Sequence, residues 1–536
     1  MRHVSHPSAP LVAAIIACLT LVPACAGSVR AANHAPTTLA YRQSYAPTRA
    51  SVHPEVVSAR EPRAELRQLI DSLVGRAEWR NAQWGILIVD PERGDTLYSL
   101  NSGKLFMPAS NQKLLTGAVA LARLGPDYRF RTEFAARGTG GTPTITDGVL
   151  HGDLVVTGYG DPTVSDHARD DAMIALHQIS DSLASHGIQR ITGAVVMGDD
   201  IFPGPELGFG WAWDDLDYPY AAGVDELFFN EGFARIVLRG GARAGDRVTG
   251  STSPARSYPP LQVEAITAAR GDTSASELEA TTLHDGRVVI TGTVPVRDSV
   301  VLDLTFRQQG AAYLAALHES LADGGIQVDG DEGAGSSSVS GPVTPIFTTY
   351  SAPLGEIMPL VQKPSQNQIA ELLMRAVGLE LTGSGSADSG QAAIERQLLE
   401  WGAAPDGFVI RDGSGLTRHD LVTPSTIVTV LDAMTRDPAF ELYYDALPIA
   451  GVDGTIEYRM RGTAAQGNVH AKTGYIDRAR SLSGYVTTAD GRRLIFAILA
   501  NNWTTHVRAV EEVQDTIAVR LASMKLGDVS NADGGR

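Results

Sequence analysis

The fold of this chain is decided by residues 110–116, which read Ser-Asn-Gln-Lys-Leu-Leu-Thr. Lys113 stands out in this stretch because only five of the 44 lysine and arginine side chains in the 536-residue chain are lysines. Arginine cannot be deprotonated in a protein, whereas a lysine amine loses its proton readily when it is buried or placed beside another cation. The composition therefore indicates Lys113 as a candidate general base.

Ser110 and Lys113 have the spacing of two side chains on one face of a helix. We expect Ser110 to cap a helix that starts at Asn111, so that the amine of Lys113 lies one turn further along and reaches the hydroxyl. A serine hydroxyl is a weak nucleophile unless a base accepts its proton, and a helix N-terminus offers backbone N–H groups to a developing oxyanion. Because Ser-x-x-Lys often occurs by chance, it carries weight only together with other motifs.

Two further polar clusters follow along the chain. Residues 365–367, Ser-Gln-Asn, open a predicted helix, where they either face a cleft or simply cap the helix; Lys363 immediately precedes them. Residues 472–474, Lys-Thr-Gly, lie on a predicted edge strand, where a cation and a hydroxyl suit a substrate carboxylate and the glycine admits a second backbone. An ordinary surface strand that ends in a turn is the alternative for the Lys-Thr-Gly cluster.

The composition disfavours several classes of function. A net charge of −17 and an isoelectric point near 5.2 disfavour nucleic acid and anionic membrane surfaces as partners, because the overall field repels both. The sequence has neither the His and Cys spacings of zinc sites nor a phosphate-binding loop, so we expect no metal and no cofactor. The length allows two or more domains with separate cores.

Residues 1–26 resemble a secretory signal peptide, which predicts export to the periplasm or cell envelope. Their apolar run, LVAAIIACLTLVPAC at residues 11–25, is too short for a retained membrane-spanning anchor. Two ways of processing stay open: ordinary cleavage after Ala26, or a lipoprotein signal in which Cys25 is acylated. Because Cys18 lies in the removed segment, we expect no disulfide within the mature chain.

Residues 27–63 have the composition of a flexible linker, rich in Ala, Ser, Pro and Thr without an apolar period. A first catalytic segment is expected over 64–131, with a helix over 64–77 and a β-hairpin of strands 84–89 and 96–100. This hairpin leads directly into Ser110.

The next part of the chain, residues 132–345, has short β-branched runs separated by Gly, Asp and Pro, which predict one or two inserted β-rich subdomains. A second catalytic segment, 346–525, has predicted helices over 368–381 and 391–401, a hairpin of strands 481–485 and 494–498, and a terminal helix over 507–524. A disordered tail is expected over 526–536. The sequence thus predicts an α/β catalytic domain split by a long insertion.

The three clusters, in this order, resemble the motifs of penicillin-binding proteins and β-lactamases. Further stretches narrow the resemblance to the D-alanyl-D-alanine carboxypeptidase/endopeptidase family, the class C low-molecular-mass penicillin-binding proteins. The resemblance runs from about residue 64 to 525 and implies an α/β (α+β) serine DD-peptidase/β-lactamase-like fold with extra domains between the first two motifs. The stretches that carry it are Gly-Asp-Pro at 160–162, Gly-Trp-Ala-Trp-Asp-Asp at 210–215, Asp-Gly-Ser-Gly-Leu-Thr-Arg-His at 412–419, Leu-Pro-Ile-Ala-Gly at 447–451, Asp-Gly at 453–454 and Ala-Lys-Thr-Gly at 471–474.

The resemblance implies hydrolysis of D-Ala-D-Ala peptides of peptidoglycan through a covalent acyl-enzyme. Ser110 would attack the carbonyl carbon while Lys113 accepts its proton, and repulsion from Lys472 would help keep Lys113 neutral. The backbone N–H groups of Ser110 and Tyr475 would form the oxyanion hole. The same resemblance implies that β-lactam antibiotics acylate the protein.

The other motif residues receive roles from the same resemblance. Ser365 would relay a proton to the leaving amine, and Asn367 would hold the amide on the acyl side of the substrate. Lys472 and Thr473, with Gly474 beside them, would bind the substrate carboxylate.

A side-chain pocket is also implied. Asp215, Tyr220 and Arg418 match family positions that bind the free amino-acid end of the peptidoglycan side chain, and an acid with an arginine suits a zwitterion. A turn or capping role is the alternative for Asp215. The chain departs from the family pattern at Tyr475, where a small hydroxylic residue is usual, and at Asp477, which replaces an uncharged pocket residue.

Two rival functions stay open. A β-lactamase or esterase on the same fold would differ in how fast water attacks the acyl-enzyme. A non-catalytic cell-wall-binding protein has no need to retain Lys113, which disfavours it. The balance of carboxypeptidase and endopeptidase activity, the oligomeric state and the purpose of the insertion are not determined by the sequence.

Overall fold

The structure, a computed structural model, describes residues 29–30, 61–138, 143–253, 259–272, 276–283, 286–305, 308–330 and 343–527. The predicted signal peptide, Cys25 and most of the predicted linker lie outside these residues. Within the described residues, no helix combines the length and the apolar composition that a membrane crossing requires.

The first part of the chain forms the predicted helix and hairpin. The helix begins earlier than expected, within the predicted linker, because Glu61 and Pro62 suit a first helical turn, and it ends at Val74 just before Gly75. The hairpin is confirmed. The elements are β1 (Val29–Arg30), α1 (Glu61–Val74), β2 (Gln83–Asp90), β3 (Asp95–Leu100) and α2 (Gln112–Leu124).

The described residues in the middle of the chain form several small sheets and three α-helices. Its elements are β4 (Arg131–Arg137), β5 (Thr144–Thr146), β6 (Val149–His151), β7 (Asp153–Gly158), α3 (Asp166–Arg169), α4 (Met173–Ser185), β8 (Arg190–Ile191), β9 (Val195–Met197), β10 (Phe233–Arg239), β11 (Thr249–Ser253), β12 (Leu261–Val263), β13 (Ile266–Ala268), β14 (Glu279–Thr282), β15 (Val288–Thr291), β16 (Thr293–Pro295), β17 (Ser299–Thr305), α5 (Gln309–Asp323), β18 (Gln327–Val328) and β19 (Val343–Tyr350).

Two large, separate cores lie within the described part of this middle region. One core packs α4 and α5 against β4, β7 and β9, and the other lies between the strands from β10 to β17. The β-rich texture did not predict α4 and α5, whose apolar faces become evident only once they pack against each other. The strand β1 pairs antiparallel with β14, so two residues of the predicted linker belong to a sheet.

The last part of the chain returns to helices and then completes the largest sheet. The helix predicted over 368–381 is confirmed, and the helix predicted over 391–401 begins four residues earlier because Ser386 caps it. The elements are α6 (Leu354–Gln362), α7 (Asn367–Thr382), α8 (Ala387–Glu400), β20 (Phe408–Val409), β21 (Leu421–Val422), α9 (Pro424–Met434), α10 (Phe440–Ala446), β22 (His470–Ile476), β23 (Ala479–Thr487), β24 (Arg493–Asn501) and α11 (Val507–Ser523).

A five-stranded antiparallel sheet joins the two ends of the chain in the order β22-β23-β24-β2-β3. Its side chains alternate between two cores, as the period of two in a strand requires: Ile86 and Ile88 face α1 and α11, whereas Leu87 faces α2 and α9. Both faces are therefore covered, and β22 is left at an edge beside the start of α2.

The predicted tail begins later than expected. Leu526 is buried, and the Asp490 carboxylate accepts hydrogen bonds from the backbone N–H groups of Leu526 and Gly527. Leu526 and Gly527 therefore lie against the turn between β23 and β24, at one end of the sheet. Residues 528–536 lie outside the described part of the chain.

Candidate active site

Ser110 lies in a short 3₁₀ turn, Ala109–Asn111, immediately before α2. The prediction that Ser110 caps the helix is wrong, because the N-cap position is occupied by Asn111. The Asn111 side chain instead donates a hydrogen bond to the Lys472 carbonyl at 2.8 Å. Ala109 has a φ of 47°, a left-handed backbone that costs a non-glycine residue about 1 kcal/mol and occurs most often at functional sites.

The Lys113 amino group reaches Ser110, as the spacing predicted. Its Nζ lies 3.0 Å from Ser110 Oγ, 2.5 Å from Asn367 Oδ1 and 2.8 Å from the Ser414 carbonyl oxygen. The Lys113 side chain has no exposed surface. When this amine is neutral, its lone pair can accept the Ser110 proton while its two N–H groups donate to the other two oxygens.

Burial lowers the pKa of Lys113 to about 7, because the charged form loses its hydration. Negative charge on the buried Asp412, Glu371 and Asp420 carboxylates acts in the opposite direction and keeps this pKa from falling further. The family resemblance implied that repulsion from Lys472 helps keep Lys113 neutral. Burial is the main cause, and repulsion between the two ammonium groups adds to the lowering of the pKa of Lys472, which burial brings well below its usual value.

Ser365 is not the cap of the second helix, so the alternative of a plain N-cap serine is wrong. The cap is Gln366, whose side-chain oxygen accepts a hydrogen bond from the Ile369 N–H. Ser365 adopts a left-handed φ of 67°, and its Oγ accepts a hydrogen bond from Lys472 Nζ at 2.8 Å. Asn367 is the first residue of α7 and touches Lys113. The second cluster therefore contacts lysines of both other clusters.

The third cluster lies on β22, at the edge of the five-stranded sheet, as predicted. Lys472 is fully buried, and the Thr473 hydroxyl donates to Thr455 Oγ1 at 2.7 Å. Gly474 admits a second backbone, which confirms that expectation. A Cβ at position 474 would lie only 2.5 Å from the Pro108 carbonyl oxygen and 3.0 Å from the Ser110 nitrogen.

A cavity of about 630 Å³ opens over Ser110, Ser365 and Asn367. Asp215, Tyr220, Arg418, Tyr475 and Asp477 all line it, together with Gly210, Ala212, Asp214, Gly415, Leu416 and Ile476. The Tyr220 hydroxyl donates to the Asp215 carboxylate at 2.7 Å, and Arg418 lies 3.5 Å from the Asp477 carboxylate. The structure thus brings every predicted pocket residue to one cavity. It pairs Arg418 with Asp477, one of the two residues that depart from the family pattern.

A comparison with models of protein families shows which family the chain belongs to. The model of the D-Ala-D-Ala carboxypeptidase 3 (S13) family matches residues 66–524. The chain belongs to this family. It is a serine-type D-Ala-D-Ala carboxypeptidase.

Named relatives agree with this assignment. The S13 enzyme is 34% identical over 472 residues to the D-alanyl-D-alanine carboxypeptidase of Actinomadura sp. (strain R39), which covers 85% of this chain and 84% of that protein. It is 28% identical over 433 residues to the D-alanyl-D-alanine carboxypeptidase DacB of Haemophilus influenzae, which covers 78% and 86% of the two chains.

A solved structure confirms the fold. The crystal structure of penicillin binding protein 4 (dacB) from Haemophilus influenzae superposes with a TM-score of 0.72 at 24% identity and covers 85% of this chain and 99% of that one. The same protein complexed with a β-lactam gives a TM-score of 0.69 at 23% identity.

The sequence did not identify the buried acidic groups that hold the hydrogen-bond partners of Lys113 in place. The buried Glu371 carboxylate accepts hydrogen bonds from the N–H groups of Gly413 and Ser414, at 3.0 and 2.8 Å, which holds the turn that presents the Ser414 carbonyl. Asp412 accepts from Trp211 Nε1 at 3.0 Å and joins two of the quoted motifs. The available signal was the position of Glu371. It is an acidic residue one turn into α7, in a part of the helix whose residues are all buried.

Proposed function

We propose that Ser110 is the nucleophile of this S13 enzyme and that Lys113 is its general base. The observation that carries the proposal is the fully buried Lys113 amine, 3.0 Å from Ser110 Oγ and with a pKa lowered to about 7. Such an amine is neutral often enough at neutral pH to accept the hydroxyl proton as Oγ attacks the peptide carbonyl carbon.

The oxyanion that forms in this step needs donors that are already in place. The N–H groups of Ser110 and Tyr475 are assigned this role, and the close approach of Gly474 to the backbone of Ser110 supports it. When the tetrahedral intermediate collapses, the C–N bond breaks and the acyl group stays on Ser110 Oγ. Lys113 then passes the proton it took from Ser110 toward the leaving amine by way of Lys472 and Ser365, which leaves Lys113 neutral again. Water attacks the ester carbonyl carbon, Lys113 accepts a proton from that water, and Oγ receives this proton as the ester C–O bond breaks.

Ser365 is assigned to protonation of the leaving amine, and Asn367 is assigned to binding of the acyl side of the substrate. The Lys472 amino group donates to Ser365 Oγ at 2.8 Å, and this contact provides a path through which a proton reaches the departing amine. Asn367 Oδ1 accepts from Lys113, and its amide would hold the substrate amide. Lys472, with Thr473 and Gly474, would bind the terminal carboxylate of the substrate.

The substrate is proposed to be a D-Ala-D-Ala peptide of peptidoglycan whose side chain enters the cavity lined by Asp215, Tyr220 and Arg418. The proposed reaction includes cleavage of peptide cross-links as well as release of terminal D-alanine. Acylation by β-lactams is proposed from the structure of the Haemophilus influenzae protein complexed with one.

We propose the same division into catalytic segments and insertion that the sequence predicted. Residues 64–131 and 346–525 form the catalytic domain, and residues 132–345 form the insertion. Strands from both catalytic segments share the five-stranded sheet, which supports this division. Export through a signal at residues 1–26, with either ordinary cleavage or acylation of Cys25, is proposed from the apolar run alone, and the mass of the mature N-terminus distinguishes the two.

Release of D-alanine from a peptide ending in D-Ala-D-Ala tests the function. The purified enzyme is expected to release D-alanine and the Ser110→Ala variant to release none above background. Digestion of cross-linked muropeptides by the same two proteins measures the endopeptidase activity. Equal release by both proteins would remove Ser110 from the mechanism.

A further inference from the structure

The insertion accepts hydrogen bonds from three consecutive side chains at residues 366–368, of which the first two belong to the second cluster. Gln366 Nε2 donates to Glu231 Oε2 at 2.7 Å, and Asn367 Nδ2 donates to the Tyr220 carbonyl at 2.7 Å. Gln368 Nε2 donates at 3.0 Å to the carbonyls of both Pro219 and Ala222. One segment of the insertion, residues 219–231, therefore contacts the stretch that carries Ser365 and Asn367.

Glu231 is the one charged acceptor in this set, and it is held firmly. Its side chain is buried, and its Oε1 accepts from Ser165 Oγ at 3.2 Å and contacts His167 Nδ1 at 2.9 Å. Both Asn230 and Glu231 have left-handed backbones, with φ of 46° and 54°. Such a conformation costs non-glycine residues about 1 kcal/mol or more each and persists only where the surroundings hold it, often at functional sites.

Gln366 connects this acid to the reacting groups. Its Oε1 caps α7 by accepting from the Ile369 N–H at 3.2 Å, while its Nε2 donates to Glu231. Both ends of the Gln366 amide are thus engaged, which fixes the backbone between Ser365, at φ 67°, and Asn367. A side chain bound at both ends restricts the neighbouring hydroxyl and amide to one arrangement.

We infer that Glu231 is a positioning residue for the reaction: through Gln366, the insertion fixes Ser365 and Asn367 against Lys472 and Lys113. This inference rests on the roles proposed above for Ser365 and Asn367. It gives the insertion a function within the active site. Displacement of a reacting group by about 1 Å can lower a rate about 100-fold, so loss of this contact is expected to reduce acylation although no substrate atom is touched.

An exchange of the two side chains tests the inference. In Gln366→Glu, two carboxylates face each other where the structure has a 2.7 Å hydrogen bond, with His167 as the nearest titratable group and Asp166 and Arg235 beside it. In the double variant Glu231→Gln with Gln366→Glu, the new amide donates to the new carboxylate. The other carboxylate oxygen still caps α7, and the amide oxygen still accepts from Ser165 and His167.

The measurements are the second-order rate of acylation by a fluorescent penicillin and hydrogen–deuterium exchange of the peptide over 363–369, in the full chain. Asp329→Asn, which removes the exposed ion pair with Arg190 elsewhere in the insertion, is the matched control and is expected to behave as the parent. Thermal unfolding shows that each variant is folded.

Gln366→Glu is expected to acylate at least tenfold more slowly and to exchange faster over 363–369, and the double variant is expected to return to within threefold of the parent in both. Parent-like acylation and exchange in Gln366→Glu, or a double variant that recovers neither, would overturn the inference. If the parent itself is not acylated, the proposed function fails, and the exchange data alone decide whether Glu231 positions the second cluster.

Discussion

Glu371 and Lys113 are joined through Ser414: the Glu371 carboxylate accepts a hydrogen bond from the Ser414 N–H at 2.8 Å, and the Lys113 amino group donates to the Ser414 carbonyl at 2.8 Å. Both side chains are buried. The Glu371 carboxylate thus holds the Ser414 carbonyl oxygen beside Lys113, the proposed general base. It also influences the charge of Lys113, because Glu371 raises the pKa of Lys113 against the effect of burial.

Replacement of Glu371 by glutamine should shift the pH dependence of acylation. Loss of the negative charge removes a contribution that raises the pKa of Lys113, so the rise of the acylation rate with pH is expected to occur at lower pH than in the parent. An N–H group of Gly413 or Ser414 also loses a charged acceptor, which costs about 1–3 kcal/mol of stability.

The pH profile of acylation by a fluorescent penicillin, with thermal unfolding beside it, measures both effects. Glu380→Gln, near the exposed end of the same helix, is the matched control and should leave the profile in place. An unchanged profile in Glu371→Gln would show that the carboxylate has no electrostatic influence on Lys113.

In the parent, acylation should increase as the pH is raised through about 7. The pKa of Lys113 is lowered to about 7, so the amine is protonated below that pH and neutral above it, and only the neutral form accepts the Ser110 proton. At pH 7 about half of the molecules carry a neutral amine, against less than about 0.1% at an ordinary lysine pKa.

Lys113→Arg should reduce acylation by at least about 1000-fold at every pH, because a guanidinium stays protonated. Rates measured from pH 5.5 to 9 in buffers of constant ionic strength test both expectations. A flat profile in the parent, or a Lys113→Arg variant with parent-like rates, would contradict the assignment of the base.

Gly474→Ala should displace Ser110, the proposed nucleophile. The new Cβ would lie 2.2 Å from Ser481 Oγ and 2.5 Å from the Pro108 carbonyl, so the turn before Ser110 has to move. We expect acylation to fall about 100-fold, in line with displacement of a reacting group. Gly103→Ala, where an added Cβ meets nothing within 4 Å, is the control and should acylate as the parent does. Equal rates in the two variants would show that the close approach has no role.

Asp477→Asn should change substrate preference. Asp477 lies 3.5 Å from Arg418 in an exposed pair. This pair would compete for the guanidinium with the substrate carboxylate that Arg418 is proposed to bind. Exposed pairs contribute at most about 1 kcal/mol, so the KM should fall about three- to fivefold for peptides whose side chain ends in an ammonium and a carboxylate. Peptides that end in an ammonium alone should show no such gain. A uniform change for both peptide classes would contradict the competition.

Much of the fold and site could be predicted because the signals were local. The period of two in the strands, the hairpin turns and the scarcity of lysine are properties of short stretches, and they located both hairpins and Lys113. The same scarcity also drew attention to Lys363, which the structure places outside the cavity, in an ion pair with Asp453 at 2.6 Å.

The rest could not be predicted because it depends on contacts between distant residues. Glu371 acts on a turn more than 40 residues away, and Glu231 acts on Gln366 across 135 residues. The left-handed backbones of Ala109 and Ser365 are likewise imposed by tertiary packing, since neither residue type favours them. Propensity therefore predicted a capped helix at Ser110 where the structure has a 3₁₀ turn.

The acyl-enzyme is tested most directly by intact-mass spectrometry of the purified protein after reaction with benzylpenicillin, followed by peptide mapping. The account predicts one adduct of the mass of the drug, located on Ser110, absent from Ser110→Ala and from Lys113→Arg, and stable for minutes. An adduct on another residue, or equal labelling of Ser110→Ala, would contradict the central claim. Rapid loss of the adduct with hydrolysis of the drug would instead identify a β-lactamase.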